Sequence, residues 1–242
     1  MKILSLDIGI NNLSYCILSW EEGKYIIHHW GILNVNPYEE INNEIAKQNK
    51  DIDKSNKKLL KNDLKNNCNE DETNENKINE NKDIYVQPKL TKKKVKKKPS
   101  INQIAHEITT LFDNTKHLLD CSYVLIENQP CMKNPTMKSI QMIVYSYFYI
   151  RGITDATEDK KIKDIVFLSA SNKLKVYDGP KLTFDVKSKY TLSKKLGIAH
   201  TKYFLKDNEE KLSFFNSHKK KDDLADAFLQ GVYFINKRLK LS

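Results

Sequence analysis

Apolar residues cluster at the two ends of the chain, with a long polar stretch between them. Residues 2–7 (KILSLD) predict a buried strand that ends in an acid, and Gly9 with Asn11 and Asn12 supplies a turn. Residues 13–18 (LSYCIL) predict a returning strand, and 25–33 (YIIHHWGIL) a third that Pro37 closes. Three short strands joined by tight turns imply an antiparallel meander at the start of a mixed sheet.

From about Glu40 to Lys82 the chain is dominated by Asn, Lys, Glu and Asp, without sustained apolar periodicity. Such a stretch buries too little apolar surface to offset its ordering entropy, so residues 39–98 read as a disordered Asn/Lys-rich insertion within a single domain of 1–242. The insertion ends in two lysine triplets, Lys92–Lys94 and Lys96–Lys98, which fit a solvated linker, a basic arm on DNA or a nuclear address.

Periodicity resumes after it. Ser100 is a helix cap for Ile101, Ile104, Ile108, Leu111 and Phe112, which recur at helical spacing. Residues 123–126 form a short apolar run ending in Glu127, with Asn128-Gln129-Pro130 breaking it. Residues 137–151 predict a largely buried helix whose aromatic group, Tyr145, Tyr147, Phe148 and Tyr149, is mostly core, with one ring free for a dimer seam or an unpaired base. Residues 165–168 predict another strand, 187–196 a helix and 222–239 a longer one. The resulting order, β-β-β-insertion-α-β-α-β-α-α, is that of an α/β sheet layered with helices.

Composition narrows the partners. The net charge of +10 and pI near 9.2 favour a polyanion. Cys16, Cys68, Cys121 and Cys131 show neither a CxxC pair nor zinc-type spacing, and a chain of this size does not need a disulfide framework. No signal sequence precedes the first strand and no apolar run is long enough to span a bilayer, which predicts a soluble intracellular protein without membrane contact.

The chemistry is in the acids. Asp7 and Glu127 each end an apolar strand, where a carboxylate is costly unless a cation compensates it. Asp223 and Asp226 lie three apart near the start of the last helix, so they share one face, and Asp222, four before Asp226, competes with Asp223 for that place. Each acid alone also fits a cap or a surface ion pair. Together they form an oxygen-only ligand set, suited to Mg²⁺ or Mn²⁺ rather than zinc, and two such ions promote phosphodiester hydrolysis. His28 and His29 are adjacent in a strand and face opposite sides of it, which is no metal-binding pair.

Three motifs carry a resemblance. DIGINNLSY at residues 7–15 resembles the opening motif of RuvC-type Holliday junction resolvases. IENQP at 126–130, followed by Lys133-Asn134-Pro135 and Met137-Lys138, is similar to the poxvirus and large-DNA-virus branch, as is KDDLADAF at 221–228. The resemblance covers the chain apart from the insertion. It implies an RNase H-like fold, with a mixed five-stranded sheet flanked by helices, and a homodimer that resolves four-way (Holliday) DNA junctions by paired symmetric nicks. The metals, two Mg²⁺ per site with Mn²⁺ substituting, would be held by Asp7, Glu127, Asp223 and Asp226; the family's three-residue step favours Asp223 over Asp222. It also places a catalytic lysine after the strand that follows the long helix, with Lys173 favoured and Lys175 close behind. Lys133, Lys138, Lys175 and Lys187 are its expected DNA contacts. It points to viral recombination and concatemer processing in a host cytoplasm or virion. Two other readings stay open: an RNase H-like nuclease acting on hybrids or other branched DNA, and a junction-binding protein without catalysis. The insertion at 39–98 and the extra length at 180–200 depart from the family pattern.

Overall fold

The computed structural model describes residues 1–35, 47–58, 99–132, 134–186 and 188–239. It divides into two units, 1–36 with 99–242, and 37–98. In the second unit residues 47–58 are helical, and the rest of the expected insertion, with both lysine triplets, lies outside the described residues.

The first unit is built on a five-stranded sheet of order β3-β2-β1-β4-β5. β1 (Lys2–Ile8), β2 (Asn12–Glu21) and β3 (Lys24–Asn34) form the antiparallel meander expected from the sequence. β4 (Tyr123–Glu127) and β5 (Asp164–Leu168) add to it in parallel, β4 pairing with β1 and β5 with β4. The β2–β3 register shifts between Ile17 and Leu18, and His28 is the extra residue on β3.

Alternation along the strands separates two cores. Leu4, Leu6, Ile8, Val124 and Ile126 face α1 (Ile101–Asn114) and α2 (Pro135–Tyr149). Ile3, Leu125 and Leu168 face the other layer, α3 (Lys189–Phe204), α4 (Glu209–Ser217) and α5 (Lys221–Leu239). Ser100 caps α1 through a reciprocal capping box with Gln103, and Asn134 and Ser188 cap α2 and α3. α2 runs into a π turn at Ile150–Thr154, and a 3₁₀ segment, Ala170–Val176, follows β5. α4 has no counterpart in the sequence-based element order; it is short, and its buried anchor is Phe215, stacked 5.4 Å from Trp30.

Close contacts fix α5 on the sheet. A Cβ on Gly231 would come within 2.4 Å of Leu18 Cδ2, so only glycine lets the helix lie this near β2. At the preceding residue, Gln230 Nε2 donates to Ser5 Oγ and Leu6 O at 3.2 Å and to Leu125 O at 3.5 Å. That one amide ties α5 to both central strands. Of the aromatic group on α2, Tyr147 and Phe148 are core, while Tyr145 stacks between exposed Tyr149 and Phe167.

Candidate active site

Strand parity delivers the first two acids. Ile3, Ser5 and Asp7 share one face of β1, and Tyr123, Leu125 and Glu127 share the same face of β4; with Leu6 paired to Ile126, the next residues on the two strands are Asp7 and Glu127. α5 supplies the others. Asp223, Asp226 and Gln230 lie at successive turns of one helix face, so the amide that anchors the helix also sets the height of its acids. Ser14 Oγ donates to the Asp223 carbonyl at 2.7 Å and adds a second tether, from β2.

Lys173 comes from the 3₁₀ segment after β5 and enters the middle of this group. Its Nζ lies 2.8 Å from Glu127 Oε2 and 2.7 Å from Asp226 Oδ2, and its side chain is only 12% exposed. Asp7, Glu127, Lys173, Asp223 and Asp226 line one open cleft of about 450 Å³, together with Tyr190, Ser193 and Lys194 of α3. Asp222 lines it too, but its carboxylate pairs with Lys194.

The charges do not cancel. Burial pushes the Asp7 carboxyl well above the usual carboxylate range; Lys173 pulls it back, while Glu127 and Asp226 push it further. Asp226 is raised for the same first reason, against the pull of Lys173, and Asp223 is raised by burial and by Asp222 beside it. Burial also opposes the charge on Lys173, but Asp7, Asp226 and Glu127 outweigh it and hold the ammonium protonated above its ordinary range. A side-chain interaction with Glu127 adds to the rise of the Asp7 carboxyl.

Supporting residues that the sequence did not single out surround Glu127. Gln129 Nε2 donates to Glu127 Oε1 at 3.3 Å, and the Gln129 backbone N–H donates to Gln141 Oε1 at 2.9 Å. Gln141 is wholly buried in α2 and also accepts from Lys138 Nζ at 3.0 Å. A buried glutamine in an apolar helix is the sequence signal that could have revealed this support.

The other expected contacts scatter. Lys138 bonds Asn128 and Gln141 behind the Glu127 turn, and Lys175 bonds Asn172 at 2.8 Å, outside the residues lining the cleft. Lys173, not Lys175, enters the acidic group. Lys133 and Lys187 lie outside the described residues. His28 bonds Ser19 while His29 stacks on His117 at 4.3 Å, so they do not converge.

The donor set fits a hard cation. It consists of carboxylates with unbalanced negative charge, and a cation, the Lys173 ammonium, already stands between two of them. In this side-chain arrangement no three His, Cys, Asp or Glu among the described residues are grouped as a ready metal site. Lys173 Nζ stands between Glu127 Oε2 and Asp226 Oδ2 in that arrangement.

Several solved structures share this fold at low sequence identity. The yeast mitochondrial Holliday junction resolvase Ydc2 aligns with TM-score 0.52 and 18% identity over 99% of this chain and 81% of that one. Fowlpox virus resolvase, in a complex with its substrate Holliday junction DNA, gives 0.50 and 16% over 99% of both chains. Thermus thermophilus RuvC gives 0.50 and 8% over 98% and 97%. These likenesses define the fold as RuvC-type and RNase H-like, as the motifs imply. The chain belongs to the mitochondrial resolvase Ydc2 / RNA splicing MRS1 family, whose catalytic-domain profile matches residues 3–140. An uncharacterized protein of Acanthamoeba polyphaga mimivirus, L451, is 42% identical over 148 residues, 58% of this chain. The chain spans about a third of that relative's length, 36% of it. Among the described residues no helix is long and apolar enough to cross a membrane.

Proposed function

We propose that this protein is a divalent-metal-dependent endonuclease that resolves four-way DNA junctions. The observation that carries the reading is the convergence of Asp7, Glu127, Asp223, Asp226 and Lys173, from β1, β4, α5 and the segment after β5, on one cleft. Membership of a family described by a resolvase, and a fold shared with two further resolvases, favour branched DNA as the substrate.

Asp7, Glu127, Asp223 and Asp226 would hold Mg²⁺, or Mn²⁺ in its place, two ions to a site. Bound there, the ions supply Lewis acidity at a phosphoryl oxygen and lower the pKa of a water. The chain's own residues do the rest. Glu127, braced through Gln129 by Gln141, and Asp7 beside it keep their oxygens fixed at the strand tips. Lys173 places an ammonium where negative charge grows on the phosphate, and its two carboxylate partners keep it protonated and oriented. Tyr190, Ser193 and Lys194 of α3 also line the cleft that the strand would enter.

Paired nicking needs two such sites, and a homodimer provides them. Support for a self-contact comes from apolar groups left outside: Met142, Tyr149 and Ile150 on α2 and its extension, and Phe167 on β5. The mimivirus relative favours a large DNA virus as the setting, with the protein acting in recombination or concatemer processing in the host cytoplasm. We further propose that residues 39–98 are an insertion in one resolvase domain.

A non-catalytic nucleic-acid binder is the second reading, favoured by the RNA-splicing protein in the family description. Both are tested by digesting four-way junctions, flaps, RNA–DNA hybrids, linear duplex and structured RNA in Mg²⁺ and in Ca²⁺. The expected result is paired cuts in opposed junction strands, in Mg²⁺ only. Equal cutting of every substrate defeats the junction reading, and binding without cutting in any divalent cation defeats the nuclease.

A further inference from the structure

The α3 lining of the cleft holds a cation that the reaction above does not use. α3 crosses α5 beside the site, where a Cβ on Gly197 would lie 3.7 Å from Asp226 Oδ1. Lys194 is three residues before Gly197, so it shares the face that leans over the cleft. Its ammonium pairs with Asp222 Oδ2 and lies 4.8 Å from the centre of the Tyr190 ring.

Lys173 and Lys194 are the two cations lining this cleft among the described residues, and they differ in what they can still bind. Lys173 is sunk between two carboxylates. Lys194 is 41% exposed at the rim and has one carboxylate partner, Asp222; with Tyr190 as a second side-chain partner, one of its three N–H donors is still free. A polyanionic strand that approaches a cleft lined by five acids, Asp222 included, is repelled unless a cation meets it first. Lys194 is the cation so placed. Asp222 faces it rather than the Lys173 cluster, which separates Asp222 in role from its neighbour Asp223.

We propose that Lys194 binds a backbone phosphate flanking the cleaved one, and that Asp222 is the positioning residue that holds it there, rather than a further metal-binding acid. The proposal rests on the nuclease reading and adds the residue that captures the strand. Asp222 and the Tyr190 face keep the long side chain extended over the cleft before DNA arrives, so less of its freedom is lost on binding.

The test is a binding and cleavage series on wild type, Lys194→Gln, Lys194→Arg, Asp222→Asn and the Asp222→Asn/Lys194→Gln pair, with a four-way junction and a linear duplex. Binding is measured in Ca²⁺ over a range of salt, and steady-state cleavage in Mg²⁺. Loss of one phosphate contact should lower the slope of log K against log salt by about 0.9 in Lys194→Gln. Its KM should rise about tenfold, kcat should fall by a smaller factor, and Lys194→Arg should restore the slope. Asp222→Asn should raise KM about threefold, and the double variant should be no worse than Lys194→Gln, because Asp222 acts through Lys194. An unchanged slope in Lys194→Gln overturns the phosphate contact. Abolished cleavage with intact binding in Asp222→Asn, or additive losses in the double variant, overturns the positioning role. A wild type that prefers the junction no more than the duplex defeats the junction reading alone and leaves the slopes readable. One that binds neither DNA overturns both.

Discussion

The two ends of the central sheet handle charge in opposite ways. At the end where β1 and β4 start, ions pair in solvent: Lys2 with Asp120 at 2.8 Å, Arg151 with Asp155 at 3.1 Å and Asp113 at 3.9 Å, Lys161 with Glu158 at 3.0 Å. These residues surround a cavity of about 850 Å³, larger than the 450 Å³ cleft at the other end. Yet only the smaller cleft crowds buried like charges around a shared lysine. Pairing in water is nearly neutral in energy, whereas uncompensated burial persists only where something is gained from it. Imbalance of charge, not the volume of a cavity, is what singles out the end proposed for chemistry.

Substitutions can break that contrast, and the largest effect should be on cutting. Asp7→Asn, Glu127→Gln or Asp226→Asn should each lower the cleavage rate on the order of 10³-fold or more, since each removes several kcal/mol of transition-state stabilisation. Junction binding in Ca²⁺ should survive, as gel shifts would reveal; unchanged cutting would end the assignment. Lys173→Ala should cost roughly 10²-fold in single-turnover rate with a smaller loss of affinity. A pure affinity loss there would make Lys173 a strand-holding residue.

Stability should move the other way at this end. With metal chelated, Asp7→Asn should raise the melting temperature at neutral pH, by an amount on the scale of ~0.5–2 kcal/mol, the usual gain from relieving a functional strain. The sign follows from the raised Asp7 carboxyl. A folded-state pKa above the unfolded one means the folded protein binds more protons in that window, so the wild type loses stability as pH rises through it. Below the window Asp7 is neutral and the advantage of the variant should vanish, which paired thermal melts across pH would detect. The smallest effect belongs to the opposite end. Lys2→Gln or Asp120→Asn should change stability by less than about 1 kcal/mol and leave cleavage untouched. A lost activity there would erase the distinction between the two ends.

Most of the scaffold was legible because periodicity reports burial. Asp7 and Glu127 could be read as strand tips since each follows an unbroken apolar run, and Asp223 and Asp226 as one helix face from their spacing. α4 escaped because nine residues anchored by one buried phenylalanine leave little periodic signal. The sequence favours Lys173 only narrowly over Lys175, because separating them depends on the turn of the 3₁₀ segment, which no pattern fixes. The Gln141–Gln129–Glu127 support was illegible for a similar reason: it is a long-range bond between a loop and a buried helix position, and only folding brings them together.

The amide of Gln230 gives the molecule a property that goes beyond placement. Because it grips β1 and β4 at once, a slip of α5 by one turn, or of either strand by one residue, forfeits those bonds and the core around them together. Loosening of the sheet and drift of the acids are thereby coupled. Heating should abolish the proposed cutting at the same temperature at which the sheet collapses.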